Sequence, residues 1–547
     1  METSVMNRAE NRLQAAGARG LGLAWLGDWE QVALEEEALR GELLRLGEPL
    51  YVVRSGDQVG LARGGQISAL GGQAEVLAVL PALLPEQLGD PAFTACYGLK
   101  YAYYAGAMAN AIASVDMVIA LGKAGFLGSF GAAGLPPARL EASIQAIQAA
   151  LPAGPYAFNL IHTPNEPSLE QRVVELYLRQ GIHVIEASAF LDLSPNIVWY
   201  RAAGLSQDAA GRVVIGNRVI AKISRREVAS KFMQPAPAAA LAELVQAGKI
   251  TPLQAELAQR VPMADDVTVE GDSGGHTDNR PLVCLIPAMI ALRDELQEKY
   301  RFEQPVRVGA AGGISTPGSV LAAFAMGAAY VATGTVNQAC VESGACEHTK
   351  NLLAKASMAD VMMAPSADMF EMGVKVQVLK TGTMFALRAQ KLYELYTKYD
   401  SIEQIPTEER EKLERQVFKR SLDDVWADTA KFFAERDPSQ LEKANANPKR
   451  KMALVFRWYL GLSSRWSASG EKGRELDYQV WCGPSIGPFN DWTRGTYLAE
   501  PANRRIVDVA LHLMTGAAYQ ARVQALTQAG VQVPSRLAAY YPRHSLI

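Results

Sequence analysis

Cysteine is scarce: Cys96, Cys284, Cys340, Cys346 and Cys482 are spread over 547 positions. That spacing excludes a disulfide framework and points to a reducing compartment, with the cytoplasm as the expected location. Long apolar runs are absent too. No stretch reaches the roughly 18 residues a membrane helix needs, so no membrane span is expected. The N-terminal segment carries Glu2, Arg8, Glu10, Arg12 and Arg19 where a signal peptide would be apolar. An excess of one charge is also lacking. The 54 basic and 57 acidic side chains leave a formal charge of −3 and are interspersed, which excludes the basic field of a nucleic-acid binder. Two glycine signatures are missing as well. Without G-x-G-x-x-G there is no fingerprint of a separate dinucleotide domain, and without G-x-x-x-x-G-K-[ST] triphosphate hydrolysis is disfavoured.

What is present reads as a folded chain, 49% apolar and 20% charged, too long for one ordinary core. Between residues 101 and 338, short β-like runs alternate with amphipathic helical stretches. The candidate strands are residues 101–106, 126–130, 156–161, 183–187, 218–223, 266–270, 306–310 and 329–334. Eight such units within the span of one barrel predict an α/β fold, a closed (β/α)8 (TIM) barrel. The expected division is a small N-terminal elaboration at 1–90, containing a β-like run at 49–62, the barrel at 91–340, and a helical extension at 341–547 capping it. Within that extension, the charged stretch 401–451 reads as solvated helix faces. Phe456, Trp458, Tyr459, Tyr478, Trp481, Phe489 and Trp492 read as its core, with substrate contact as the alternative.

In such a barrel the functional groups belong at the C-terminal strand ends, where the unusual residues fall. Gly106-Ala107-Met108 follows the first strand, Asn159 sits in the third, Lys222 near the end of the fifth, and Gly274-Gly275-His276 follows the sixth. Gly312-Gly313 and Gly334-Thr335 follow the last two strands, each leading into a helical stretch. Inward backbone N–H groups and a helix N-terminus suit a phosphate there, the alternative being plain tight turns. A mononucleotide such as FMN needs only that one cradle. His276 offers a hydrogen bond or a proton near neutral pH, or simply packs in its loop. Asp272 and Asp278 flank it and either orient it or cap the loop and the following helix. Lys222 is a lone cation in an apolar strand: inward, it faces a reduced flavin; outward, it snorkels to solvent. Asn159 offers an amide to a ring edge or caps a turn. Cys340, Cys346 and His348 match no zinc spacing, so no metal is expected.

Several runs together resemble the PfaD family. These are Gly106-Ala107-Met108-Ala109-Asn110, Leu127 to Leu135, Phe158-Asn159-Leu160-Ile161-His162 and Asp272-Ser273-Gly274-Gly275-His276-Thr277-Asp278. Asp368 to Gly373, Phe456 to Gly461 and Trp481-Cys482-Gly483-Pro484 belong to the same pattern. That family comprises trans-acting enoyl reductases of polyketide and polyunsaturated-fatty-acid synthases, and its barrel is similar to those of nitronate monooxygenases and flavin-dependent enoyl reductases. The resemblance implies FMN as cofactor, NADPH or NADH as transient hydride donor, and an enoyl thioester on an acyl carrier protein as substrate. It implies His276 as an active-site residue with Lys222 beside it. It also implies a flavin held by Gly106, Ala107, Met108, Asn159, Lys222, Gly274, Gly275, Gly312, Gly313, Gly334 and Thr335. Two positions depart from the family pattern: Gly271, where alanine is expected, and Ala111, where glycine is expected. The rival expectations are a nitronate monooxygenase-like oxidase and a non-catalytic carrier-docking component. A symmetric homodimer is the default assembly.

Overall fold

The computed structural model describes residues 12–15, 17–164 and 166–547. Eight parallel strands close into a barrel in chain order: β1 (Tyr103–Ala105), β2 (Leu127–Phe130), β3 (Ala157–Ile161), β4 (Val184–Ser188), β5 (Arg218–Ile223), β6 (Asp266–Glu270), β7 (Arg307–Ala311) and β8 (Val331–Thr333). Pairing of Val331 with Tyr103 closes the ring. All eight overlap the positions expected, because strands buried on both faces read as apolar runs.

Alternate residues point inward and fill the barrel in layers. At the bottom, Asp266 accepts two hydrogen bonds from Arg307, each 2.7 Å. In the middle, Thr268 Oγ1 lies 2.7 Å from the Tyr330 hydroxyl and 3.2 Å from that of Tyr104. The bottom and middle of the barrel are therefore filled, and its functional groups belong at the C-terminal mouth.

Ahead of the barrel, five antiparallel strands form a sheet in the order Gln58–Ala62, Leu50–Ser55, Ala74–Leu80, Ala24–Leu26, Gln66–Ser68. Its hairpin Leu50–Ser55 with Gln58–Ala62 accounts for the β-like run at 49–62.

The barrel's outer helices include α1 (Val115–Ala124) after β1 and α2 (Pro317–Ala325) after β7. After β8 the chain makes only one helical turn, Thr335–Gln338. The eighth outer position is filled by a much later helix. After the long α3 (Pro448–Ser469), α4 (Ile506–Gln528) returns and packs against both α2 and α1. Gly516 permits that contact, since a Cβ there would stand 2.5 Å from Pro317 Cγ.

The segment between β8 and α4 builds the cap. It is not wholly helical as expected: β9 (Val361–Pro365) and β10 (Lys375–Leu379) form an antiparallel hairpin whose inner strand also pairs with Gly275–His276. Phe456, Tyr459, Tyr478 and Phe489 are fully or almost fully buried and Trp492 nearly so, while Trp458 and Trp481 pack against the cap core. Cys340 donates to the Val336 carbonyl, Cys346 to the Thr349 hydroxyl, and His348 meets Tyr478 edge to face. Among the described residues no helix is long and apolar enough to cross a membrane.

Candidate active site

Toward the mouth of the barrel Ser129, Asn159, Glu186, Lys222 and Glu270 stand on the upper parts of their strands, with the glycine turns and the His276 loop following the later ones. Lys222 points inward, its Nζ 3.6 Å from Glu186 and 3.5 Å from Glu270. Burial alone would lower the lysine pKa, but the two carboxylates outweigh it and raise it. Burial raises the Glu270 pKa against the pull of Lys222. Of the two orientations expected for Lys222 the structure takes the inward one, and it shares the lysine between two acids. Glu186 was legible by the criterion that singled out Lys222, a lone charge in an apolar strand, had it been applied to β4; Glu270 shares β6 with Asp266 and was not.

Glu186 is wholly buried and accepts the Ala107 N–H at 2.8 Å. That donor is therefore spent on the barrel wall and does not point to a ligand. Asn159 is likewise committed: its amide nitrogen donates to the Glu186 carbonyl at 3.1 Å and to the Ser188 hydroxyl at 2.9 Å. The expected amide contact to a ring edge finds no donor in this arrangement. Ser129, by contrast, is 1% exposed and its hydroxyl has no partner among the described residues.

His276 sits on the short strand registered against Val376 of β10. Its Nε2 lies 3.2 Å from Oδ2 of Asp368, a cap residue in the loop between β9 and β10. Neither flanking aspartate orients it. Asp278 accepts from Ser224 at 2.6 Å and from Arg225 at 2.9 and 2.8 Å, and the Arg225 hydrogen bonds hold its pKa down to about 2. Asp272 accepts from Asn279 and Gln377. Gln377, on β10, also donates to the Ser273 carbonyl at 2.8 Å, so the cap clamps the loop.

Burial opposes the charged form of His276, but Asp368 and then Glu270 outweigh it and raise its pKa above the usual 6.5. Burial would raise the Asp368 pKa, yet the imidazolium holds it at about 2. Nothing near His276 in sequence announces Asp368 or Gln377.

The glycines divide into two groups. Gly312 and Gly313 have φ of +79° and +76°, and a Cβ on Gly312 would stand 2.8 Å from the Gly271 backbone. Beside Gly313 and Gly334 a Cβ would meet nothing within 4 Å. Their backbones border open space, as a phosphate cradle requires. Gly274 has another cause: a Cβ there would stand 2.9 Å from the backbone nitrogens of Cys482 and Gly483. Thr335 meets the same cap segment, its hydroxyl accepting the Gly483 N–H at 3.0 Å. Gly275 has φ of +80° in the paired strand. Gly106 donates its N–H to the Thr333 carbonyl, and Met108 stays half-buried beside it.

A closed parallel barrel with a histidine, a buried lysine and glycine turns at its C-terminal mouth defines the class, a (β/α)8 barrel with its functional groups at that mouth. Comparison with known proteins places it further. Residues 91–395 match the nitronate monooxygenase model, residues 25–82 the N-terminal domain of the fatty acid synthase subunit PfaD, and residues 399–478 the inserted helical domain of [acyl-carrier-protein] S-malonyltransferase. The chain belongs to the nitronate monooxygenase family and carries the PfaD N-terminal domain.

The enoyl reductase domain of MlnA, from the macrolactin biosynthesis cluster of Bacillus amyloliquefaciens, is 39% identical with a TM-score of 0.77, covering 81% of this chain and 99% of that one. A polyunsaturated fatty acid synthase subunit of a Thraustochytrium species is 50% identical over 497 residues, 90% of this chain and 33% of that protein. Polyketide biosynthesis protein PksE of Bacillus subtilis is 46% identical over 431 residues, 79% of this chain and 56% of that protein. The chain thus spans about a third and about half of these two relatives.

Proposed function

We infer that the chain is a trans-acting enoyl reductase that uses FMN and NADPH, or NADH, to reduce the α,β-double bond of an enoyl thioester on an acyl carrier protein. Its setting is polyketide or polyunsaturated-fatty-acid synthesis, in the cytoplasm, with synthase modules as partners. The observation that carries this reading is His276, fixed by Asp368 at 3.2 Å over a barrel mouth bordered by open glycine turns. Likeness across nearly the full length of the MlnA enoyl reductase domain supports it.

The residues fit a flavin mononucleotide. Gly313 and Gly334 supply a cradle with room for its phosphate, Gly312 making the tight turn beside the Gly271 backbone, and the partnerless Ser129 hydroxyl offers a hydrogen bond to the ring. In this reading Gly106, Met108, Gly275 and Lys222 would contact the ring. When bound, FMN supplies the relay of a hydride from the nicotinamide to Cβ of the unsaturated thioester. His276, whose charged form Asp368 favours, would steady the thioester oxygen as negative charge develops or deliver the proton to Cα. In this reading residues 91–340 carry the cofactor and 341–547 cover it, leaving a bulky protein-borne substrate to enter beside the cap.

The test is anaerobic. Purified protein binds FMN with a flavin absorption band and oxidises NADPH when given a crotonyl carrier-protein thioester. A colourless protein that gains no flavin absorption on adding FMN refutes the cofactor. Flavin binding without thioester reduction refutes the substrate, and rapid reoxidation by air coupled to nitronate turnover establishes the oxidase instead. His276→Ala lowers turnover by about 10²- to 10⁴-fold at normal flavin content.

A further inference from the structure

Three adjacent strands place Glu186, Lys222 and Glu270 together at the top of the barrel interior. Lys222 Nζ stands 3.6 Å from one carboxylate and 3.5 Å from the other. Glu186 has no exposed side-chain surface, and solvent reaches only 15% of the Glu270 side chain. Each acid is held independently of the lysine: the Ala107 N–H donates to Glu186 at 2.8 Å, and the Ser273 hydroxyl donates to Glu270 at 3.1 Å. Both anchors favour a charged acceptor. With both acids ionised, the three side chains sum to one negative charge in a region where water screens poorly.

That sum reverses what a lone lysine would do. A cation under the flavin would stabilise the electron density the ring gains on reduction, whereas a set with a negative excess destabilises it. We propose that Glu186 and Glu270 are potential-setting residues that outweigh Lys222 and keep the reduced flavin a strong hydride donor toward the thioester, an inference that rests on the flavin enzyme proposed above. Lys222 then makes the two carboxylates tolerable in one buried layer. Without it, two like charges would face each other across the barrel.

Isosteric replacement separates this role from a structural one, because glutamine keeps the shape and an acceptor for Ala107 or Ser273 while removing the charge. The flavin midpoint potential of the FMN-loaded protein is measured by dye equilibration for wild type, Glu270→Gln and Glu186→Gln. The expected result is a rise of about 30 mV or more in each glutamine variant, a tenfold change in the two-electron equilibrium. Single-turnover hydride transfer from pre-reduced enzyme to the thioester slows in the glutamine variants.

A potential that is unchanged or lower in both folded glutamine variants overturns the proposal while leaving the enoyl reductase standing. If one variant fails to fold, the other decides. A wild type that takes up no flavin fails at the earlier step and refutes the function itself.

Discussion

His276 owes its charge state to a carboxylate from a distant part of the chain. Asp368 raises the imidazole pKa while the imidazolium holds Asp368 at about 2. The sign of each contribution follows. The histidine's folded pKa is raised, so its share of stability is complete below about 6.5 and is lost as pH rises through the folded value. The aspartate's is depressed, so its share is present above about 3.9 and is lost as pH falls toward 2. The pair stabilises most between those limits. Asp368→Asn leaves burial, which favours the neutral ring, opposed only by the weaker pull of Glu270. Turnover that needs protonated His276 then has its alkaline limb moved to lower pH, measured as kcat against pH; an unmoved limb separates the pair from catalysis. Ala111 makes a second case at this scale. Its φ of +58° is left-handed, where a Cβ is strained. Ala111→Gly stabilises the fold by about 0.5–1 kcal/mol in urea unfolding, whereas destabilisation would show that the lost buried methyl outweighs the relieved strain.

Among the elements, the strand Gly275–His276 is the most consequential, because it joins the barrel to the cap: its loop follows β6 and its hydrogen bonds go to β10. Gln377 ties the two by donating to the Asp272 carboxylate at 2.7 Å and the Ser273 carbonyl at 2.8 Å. Gln377→Ala leaves those acceptors short of a donor, at about 1–3 kcal/mol for a buried group, and lets the histidine loop loosen. The expected outcome is a tenfold or larger fall in kcat, on the order of the loss when a catalytic group moves by a fraction of an ångström. Flavin content should not change; loss of flavin would instead make the loop part of the cofactor cradle. The β-like runs located every barrel strand, since a strand buried on both faces writes its apolar character locally. The cap hairpin escaped the same criterion. Val361–Pro365 is only half-buried over its first three residues, Lys375–Leu379 breaks its apolar run with Lys375 and Gln377, and their surroundings are helical.

At the scale of the whole molecule, the barrel is completed by a helix whose place in the sequence gives no hint of its place in space. α4 fills the eighth outer position through a close approach at Gly516 to Pro317. Gly516→Val forces the two helices apart, with an expected loss of about 1–3 kcal/mol from overpacking, read as a lower melting temperature. An unchanged melt would mean that α4 adapts without cost. The sequence by itself determined the barrel, its strand positions, the glycine turns and the histidine. Those follow from local periodicity and from backbone conformations that only certain residues adopt. Tertiary structure alone decided which acid serves His276, that Lys222 is shared by Glu186 and Glu270, and that Gly274 and Thr335 meet the cap. Each of those is a contact between residues far apart in the chain, and the charge a buried group carries depends on what the fold brings beside it.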